Sequence, residues 1–426
     1  MLFLVCASLL LATASAADRR TLRNLDGIQS NPPEFKQLSE QVLHEYAEQD
    51  APQADPLPAL PYERKPRISH LNRRYQSILF EGDIRVSRGQ LRRLLRNSRA
   101  PRQAIRLRSA FWPRGRIPYS FHAGINDYKR RAIMETINFW ERETCVRFLP
   151  RKAEKVYLHF VGHDSGCWST VGRDADQGEQ WVSIGNGCEP FGIASHEVAH
   201  AMGLFHEQSR NDRDDHVSLI TQRIPPGLLY NFAKATTLDI NNYGLPYDIG
   251  SVMHYSPEEF TTIRGQPSLV AKDVNKQQTM GALDGPSFID VQILNEHYKC
   301  SRKCSSKRPC QNGGYTDPRN CAKCKCPPGY TGTLCDLEDY GNEPRCGGAL
   351  TAGTTSQTLT IRLAPGNGQR QCIYHIKVDA DPRPVGYRFC CPESRARRFT
   401  SSSSTVPVLV SGHEREAFVH FAYVAA

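Results

Sequence analysis

Apolar and polar positions divide the 426-residue chain into stretches of different texture. Residues 1–16, MLFLVCASLLLATASA, are a run of apolar and small residues ending in Ala14-Ser15-Ala16. The run reads as a cleaved secretory signal, although it lacks the basic start usual in such peptides. From Ala17 to about Arg102 polar residues and prolines dominate, most densely between Ala51 and Pro66, and Leu91 to Arg96 has the pattern of a short amphipathic helix. Regular periodicity begins after this stretch. Arg116–Phe121 and Val156–Val161 are β-branched and aromatic, which predicts two strands. Between them, Tyr128–Arg142 places Ile133, Ile137 and Trp140 on one helical face. Trp181–Ile184 predicts another strand, and a helix follows directly. Beyond Cys300 cysteines crowd together, and so long a chain implies about two to four domains.

The helix after Ile184 carries the chemistry. Twelve consecutive residues run His196-Glu197-Val198-Ala199-His200-Ala201-Met202-Gly203-Leu204-Phe205-His206-Glu207. His196 and His200, four apart, project from one helical face and can meet a single ion. Gly203 lets the backbone leave the helix through a left-handed turn, which brings His206 in as third ligand. Three nitrogen ligands leave one position open, the arrangement of a catalytic rather than a structural zinc site. Glu197 is a carboxylate beside the ligands, placed to take a proton from a water acidified by the metal. Further along, Ser251-Val252-Met253-His254-Tyr255 resembles the metzincin turn in which a methionine, here Met253, underlies the zinc site. His254, His159 and His163 read as structural histidines, because the ligand set is already complete.

Taken with these motifs, His196 to Asp214 (HEVAHAMGLFHEQSRNDRD) resembles the astacin-family metzincins. The resemblance implies an α+β, two-lobed metzincin catalytic domain over residues 103–300 that holds one Zn2+. Glu207 is the family's choice after the third histidine. Tyr255 is similar to the tyrosine that ligates the metal at rest and swings away to steady the oxyanion, a second catalytic role beside Glu197. Phe80-Glu81-Gly82-Asp83 resembles the prosegment motif in which an aspartate, here Asp83, ligates the zinc and displaces the water. Residues 17–102 then form a propeptide, cut near Arg102 by an activating protease. The new amino terminus would be anchored on Glu207, with Gln103 able to cyclise and with Arg106 and Arg108 as competing cut sites. Trp181–Ile184 becomes the strand beside the cleft that pairs with extended substrate. The family also implies disulfides Cys145–Cys300 and Cys167–Cys188.

Fifteen cysteines suit export: Cys6 leaves with the signal and fourteen remain for disulfides. Six lie between Cys304 and Cys335, and residues 301–336 look like an epidermal-growth-factor-like (EGF-like) module. Tyr315 stands where that module usually has a cysteine, so Cys321 must serve, and the pairing stays open. A zinc-knuckle reading is poor in an oxidising compartment. Residues 346–426 resemble an all-β CUB domain, degenerate or incomplete in its second half, where Cys390 and Cys391 are adjacent. These modules offer extracellular-matrix contacts. The net charge of +10 includes nine arginines between Arg85 and Arg108, within and just beyond the expected propeptide, so it gives no case for nucleic-acid binding. No later run of about 18 apolar residues exists to anchor the chain in a membrane. The expectation is a secreted zinc endopeptidase, made as a zymogen and acting on protein or peptide substrates. The alternative is a catalytically silent adhesion or matrix-binding protein, which the complete set of chemical residues argues against.

Overall fold

The computed structural model describes residues 33–46, 67–86, 104–105, 108–162, 166–234, 240–263, 265–343, 346–353, 355–363, 370–378, 404–412 and 417–424. The signal run, the Leu91–Arg96 helix, the Arg102 cut site with Gln103, His163 and the Cys390-Cys391 pair lie outside them.

Five strands form one sheet in the order Arg147–Pro150, Arg116–Phe121, Tyr157–Val161, Glu179–Ile184, Cys167–Trp168. The first three pairings are parallel and the last is antiparallel. Two helices cover the sheet. The first, Asp127–Glu143, starts on Asn126, whose side chain accepts from the Lys129 amide at 2.9 Å, and buries Ile133, Ile137 and Trp140. The second, Phe191–Met202, is buried almost all round and ends on Gly203 at φ 115°. Its second residue has to be glycine, since a Cβ on Gly192 would sit 1.7 Å from the Leu283 carbonyl oxygen. Ile117, Leu158, Phe160, Val182 and Ile184 from the sheet meet Ile133, Ile137, Ile193 and Val198 in the main core. Each such side chain contributes about 1.5–3 kcal/mol on burial.

A second core lies on the other side of the histidines. It is built from turns, short helical segments and the two-stranded sheet of Val217–Leu219 with Leu269–Ala271, and includes Phe205, Val217, Leu229, Tyr230, Phe232, Tyr247, Tyr255 and Leu269. Phe35, Leu38, Val42 and Tyr46 of a helix at Pro33–Tyr46 join this core. That helix falls in a stretch read from sequence as polar and irregular. A third helix, Phe288–His297, is opened by a capping box of Ser287 and Asp290.

Disulfides join Cys145 to Cys300 and Cys167 to Cys188. The cysteine-dense stretch pairs Cys304–Cys321, Cys310–Cys324 and Cys326–Cys335, an order of first with third, second with fourth and fifth with sixth. Tyr315 packs against the Phe288–His297 helix, with its ring 5.4 Å from Phe288 and its hydroxyl accepting from Asn295 Nδ2 at 3.1 Å. Lys325 pairs with Glu143 at 2.7 Å and Arg319 Nη2 donates to the Val146 carbonyl at 2.9 Å, so the cysteine-dense stretch is fastened at several places to the domain that precedes it. The C-terminal segment has two small sheets, Gly348–Leu350 with Arg370–Val378 and Ser404–Gly412, and Gln357–Leu363 with Ala417–Tyr423. Cys346 is bonded to Cys372 there. No helix among the described residues is long and apolar enough to cross a membrane.

Candidate active site

The Phe191–Met202 helix presents His196 and His200, and the turn at Gly203 returns His206 to the same point. Their Nε2 atoms converge: His196 lies 3.0 Å from His200 and 3.2 Å from His206. Each opposite nitrogen meets an acceptor. His196 Nδ1 is 2.7 Å from the Val252 carbonyl, His200 Nδ1 is 2.7 Å from the Leu204 carbonyl, and His206 Nδ1 is 2.6 Å from Glu81 Oε2. The protons therefore sit on Nδ1, and three bare Nε2 lone pairs point at one another. Such a cluster repels itself unless a cation lies between its members. Ligands at about 2.0–2.1 Å in a tetrahedron stand only slightly farther apart than these nitrogens, so the residues fit zinc.

Asp83 completes the group. Its Oδ2 is 3.2 Å from Nε2 of both His196 and His206, and Oδ1 is 3.5 Å from Nε2 of His200. These four are the group among the described residues able to hold a metal ion, and all four are buried. Burial pushes the Asp83 carboxyl up, but the facing histidines outweigh it and hold it well below the usual range. Burial likewise pulls His206 down, and Asp83 and Glu81 reverse that, so without a metal the two carboxylates favour a second proton on this ring, and a cation at Nε2 takes that proton's place.

Asp83 reaches the site from a tight hairpin. Phe80 and Ile84 exchange both backbone hydrogen bonds at 2.8 Å, leaving Glu81, Gly82 and Asp83 as the loop. Glu81 holds φ 49° and Gly82 φ 77°. Glycine is required at the second place because a Cβ would also meet Phe260 Cζ at 2.9 Å. The chain then runs beside the sheet: the Ser169 amide donates to the Asp83 carbonyl at 2.9 Å, and the Arg85 amide donates to the Ser169 carbonyl at 2.8 Å. This corrects the expectation for Trp181–Ile184. Cys167–Trp168 pairs with Ser183 and Ile184, so the extended backbone lies along the Ser169 edge instead. Asn72, fully buried, bridges the two sides: it donates to the Gly82 and Cys167 carbonyls and accepts from the Cys167 amide at 2.8 Å.

Glu197 is completely buried and neither carboxylate oxygen has a hydrogen-bond partner. Burial and then the charge of Asp83 raise its pKa well above the ordinary value. Tyr255 sets its ring 4.8 Å from that of His206, tilted by 55°, and its hydroxyl donates to the Asn231 carbonyl at 3.4 Å. Met253 is fully buried next to Val252, whose carbonyl meets His196, and its own carbonyl accepts from the Glu207 amide at 2.9 Å. Asp290 pins that turn, accepting from Ser251 Oγ at 2.5 Å and the Val252 amide at 3.0 Å. Glu207 is buried, 3.2 Å from Arg210 Nη1, and accepts from the Asp248 amide at 2.7 Å. Burial raises its pKa to about 8 against the pull of Arg210. His254 bonds Tyr247 and the Tyr255 carbonyl at 2.8 Å each, and His159 bonds Ser120 at 2.8 Å; neither joins the metal group.

Sequence reasoning missed three contributors. Glu81 was visible only as part of a turn motif. Asn72 and Asp290 act through the backbone of other segments, which leaves no mark in local sequence.

A three-histidine cage on a helix and its glycine turn, over a buried methionine, places the chain among the zinc metallopeptidases. Residues 104–299 match Astacin (Peptidase family M12A). The chain is 44% identical to zinc metalloproteinase nas-29 of Caenorhabditis elegans, over 85% of this chain and 79% of that one. It is 41% identical to zinc metalloproteinase nas-23 of the same organism, over 85% and 74%. Among solved structures, high choriolytic enzyme 1, a hatching enzyme zinc-protease from Oryzias latipes, matches at 33% identity and TM-score 0.42, covering 46% of this chain and 98% of that one. The chain belongs to the astacin family of zinc peptidases, and zinc is its cofactor.

Proposed function

We propose that this chain is a secreted endopeptidase made as a zymogen, with residues 17–102 as propeptide, 103–300 as peptidase, 301–336 as an EGF-like module and 346–426 as a CUB-like module. Its substrates are extracellular proteins or peptides. The observation that carries the reading is Asp83, a carboxylate from outside the 104–299 match, set 3.2 Å from two of the three Nε2 atoms. His196, His200 and His206 would hold zinc throughout, and Asp83 would add a carboxylate ligand to it in the latent form.

When bound, zinc polarises the scissile carbonyl and makes a water nucleophilic at neutral pH. Glu197 takes the proton from that water and later delivers it to the leaving amine. Its place on the same helix as His196 and His200, buried and one residue from His196, sets its carboxylate beside the reacting water. The Tyr255 hydroxyl, which rests on the Asn231 carbonyl in the latent form, turns to donate to the oxyanion. The hairpin Phe80–Ile84 occupies the Ser169 edge, where the extended substrate backbone binds after activation. Cutting near Arg102 by another protease starts the release, and Glu207 is the anchor for the new amino terminus. The disulfides among the described residues support export.

The test compares the intact chain with Asp83→Ala on a generic protein substrate, with and without a zinc chelator. Intact parent is expected to be silent, and Asp83→Ala to show chelator-sensitive cleavage before any processing. Unchanged silence in a folded, zinc-loaded Asp83→Ala would remove Asp83 from the account.

A further inference from the structure

The second ligand shell of the three histidines is uneven. His196 and His200 give their Nδ1 protons to the carbonyls of Val252 and Leu204, both inside the 104–299 match. His206 gives its proton to Glu81, outside that match, at 2.6 Å. Its ring therefore lies between two carboxylates of one hairpin, Glu81 on Nδ1 and Asp83 on Nε2. Glu81 is fully buried and held in place, its other oxygen accepting from Ser209 Oγ at 2.5 Å. It adopts φ 49°, a backbone conformation that costs a non-glycine residue energy and persists only when its surroundings compensate. A glutamate in such a conformation, with no exposed surface and both oxygens engaged on the far side of a metal ligand, has a task beyond forming a turn.

We propose that Glu81 is a positioning residue for zinc: through His206 it makes the latent chain hold the metal more tightly than the processed enzyme does. The proposal rests on the reading of residues 17–102 as a removable propeptide. A carboxylate on the distal nitrogen fixes ring orientation and tautomer and makes Nε2 a stronger donor. The two backbone-supported histidines keep their partners through activation. His206 loses its partner when the hairpin leaves, so activation frees the metal's fourth position and relaxes the third ligand in one event. The propeptide would thus serve as a device for loading and retaining the metal as well as a plug.

Zinc release into excess chromogenic chelator tests this on the full-length chain. Glu81→Ala is expected to release zinc about 10–100-fold faster than the parent, with Glu81→Gln, which keeps the shape and loses the charge, in between. After processing and removal of the propeptide, parent and both variants should release zinc at one common, faster rate, because residue 81 has gone. Retained exchange protection of the Phe80 and Ile84 amides in Glu81→Gln establishes that the hairpin is still docked. Parental release rates in both Glu81 variants, alongside accelerated release in Asp83→Ala, would overturn the role of Glu81 and leave Asp83 intact. Parental rates in Asp83→Ala as well, with unchanged latency, would overturn the propeptide reading beneath it.

Discussion

Truncating Phe35 to alanine should undock the Pro33–Tyr46 helix without unfolding the peptidase. Phe35 is 2% exposed and stacks on Tyr230 with ring centroids 4.0 Å apart and 11° between planes; Phe80 lies 6.3 Å away. Phenylalanine-to-alanine changes in cores cost about 3–5 kcal/mol. This side chain is at the rim of the second core, on a helix joined to the rest by residues 47–66, so the cost falls on docking. The low end, about 3 kcal/mol, corresponds to roughly 150-fold in the docking equilibrium. Native-state hydrogen exchange of the helix amides reads that opening directly, and their protection should fall by about two orders of magnitude while the central sheet is unaffected. Leu43, on the outer face and 42% exposed, is the internal control, and Leu43→Ala should stay within about 0.5 kcal/mol. Equal loss in both variants, or none in Phe35→Ala, would refute the claim that this apolar face binds the helix to the catalytic domain.

Asn72→Ala removes two buried hydrogen bonds to the Cys167 edge and one to the Gly82 carbonyl within residues 67–86, and should weaken docking of that segment by about 2–4 kcal/mol in denaturant titrations that follow exposure of the site. Gly192→Ala drives a Cβ against the Leu283 carbonyl at 1.7 Å and should cost about 3 kcal/mol or more in global unfolding. Tyr315→Ala empties the contact with Phe288 and Asn295, so limited proteolysis should separate the 301–336 module from the peptidase faster than in the parent. Asp214 accepts from Tyr46 at 2.6 Å and pairs with Lys234 at 2.6 Å; burial opposes its ionisation, but Arg213 and Lys234 prevail and lower its pKa from 3.8 to about 2. Because the folded value is depressed, its stabilisation is fully present above about pH 4 and lost as pH falls toward 2. Acid titration of helix docking should show that step, and Asp214→Asn should lack it.

The metal site was legible because its geometry is local. Four-residue spacing on a helix and a glycine turn fix where His196, His200 and His206 meet, whatever the rest of the chain does. The Arg116–Phe121 strand and the Ile133, Ile137, Trp140 face were legible for the same reason. The helix at Pro33–Tyr46 was not, although Phe35, Leu38, Val42 and Tyr46 carry helical spacing, because the surrounding prolines and polar residues mask a stripe of only four residues. Its partners, Tyr230 and Asp214, lie far away in the chain. The edge beside which the hairpin lies was hidden for a related reason: Trp181–Ile184 has strand composition, whereas Cys167–Trp168 is too short to announce itself and is held by pairing with Ser183 and Ile184. Glu81 was hidden by its neighbour, since a turn motif explains its presence without asking what its side chain meets.

The most direct test of the central claim uses processed Glu197→Ala, measured for bound zinc and for hydrolysis of a protein substrate on the same preparation. The account predicts one zinc per chain, because the three histidines are untouched, with hydrolysis reduced by roughly 10²–10⁴-fold. Hydrolysis at the parental rate with zinc fully bound would contradict it.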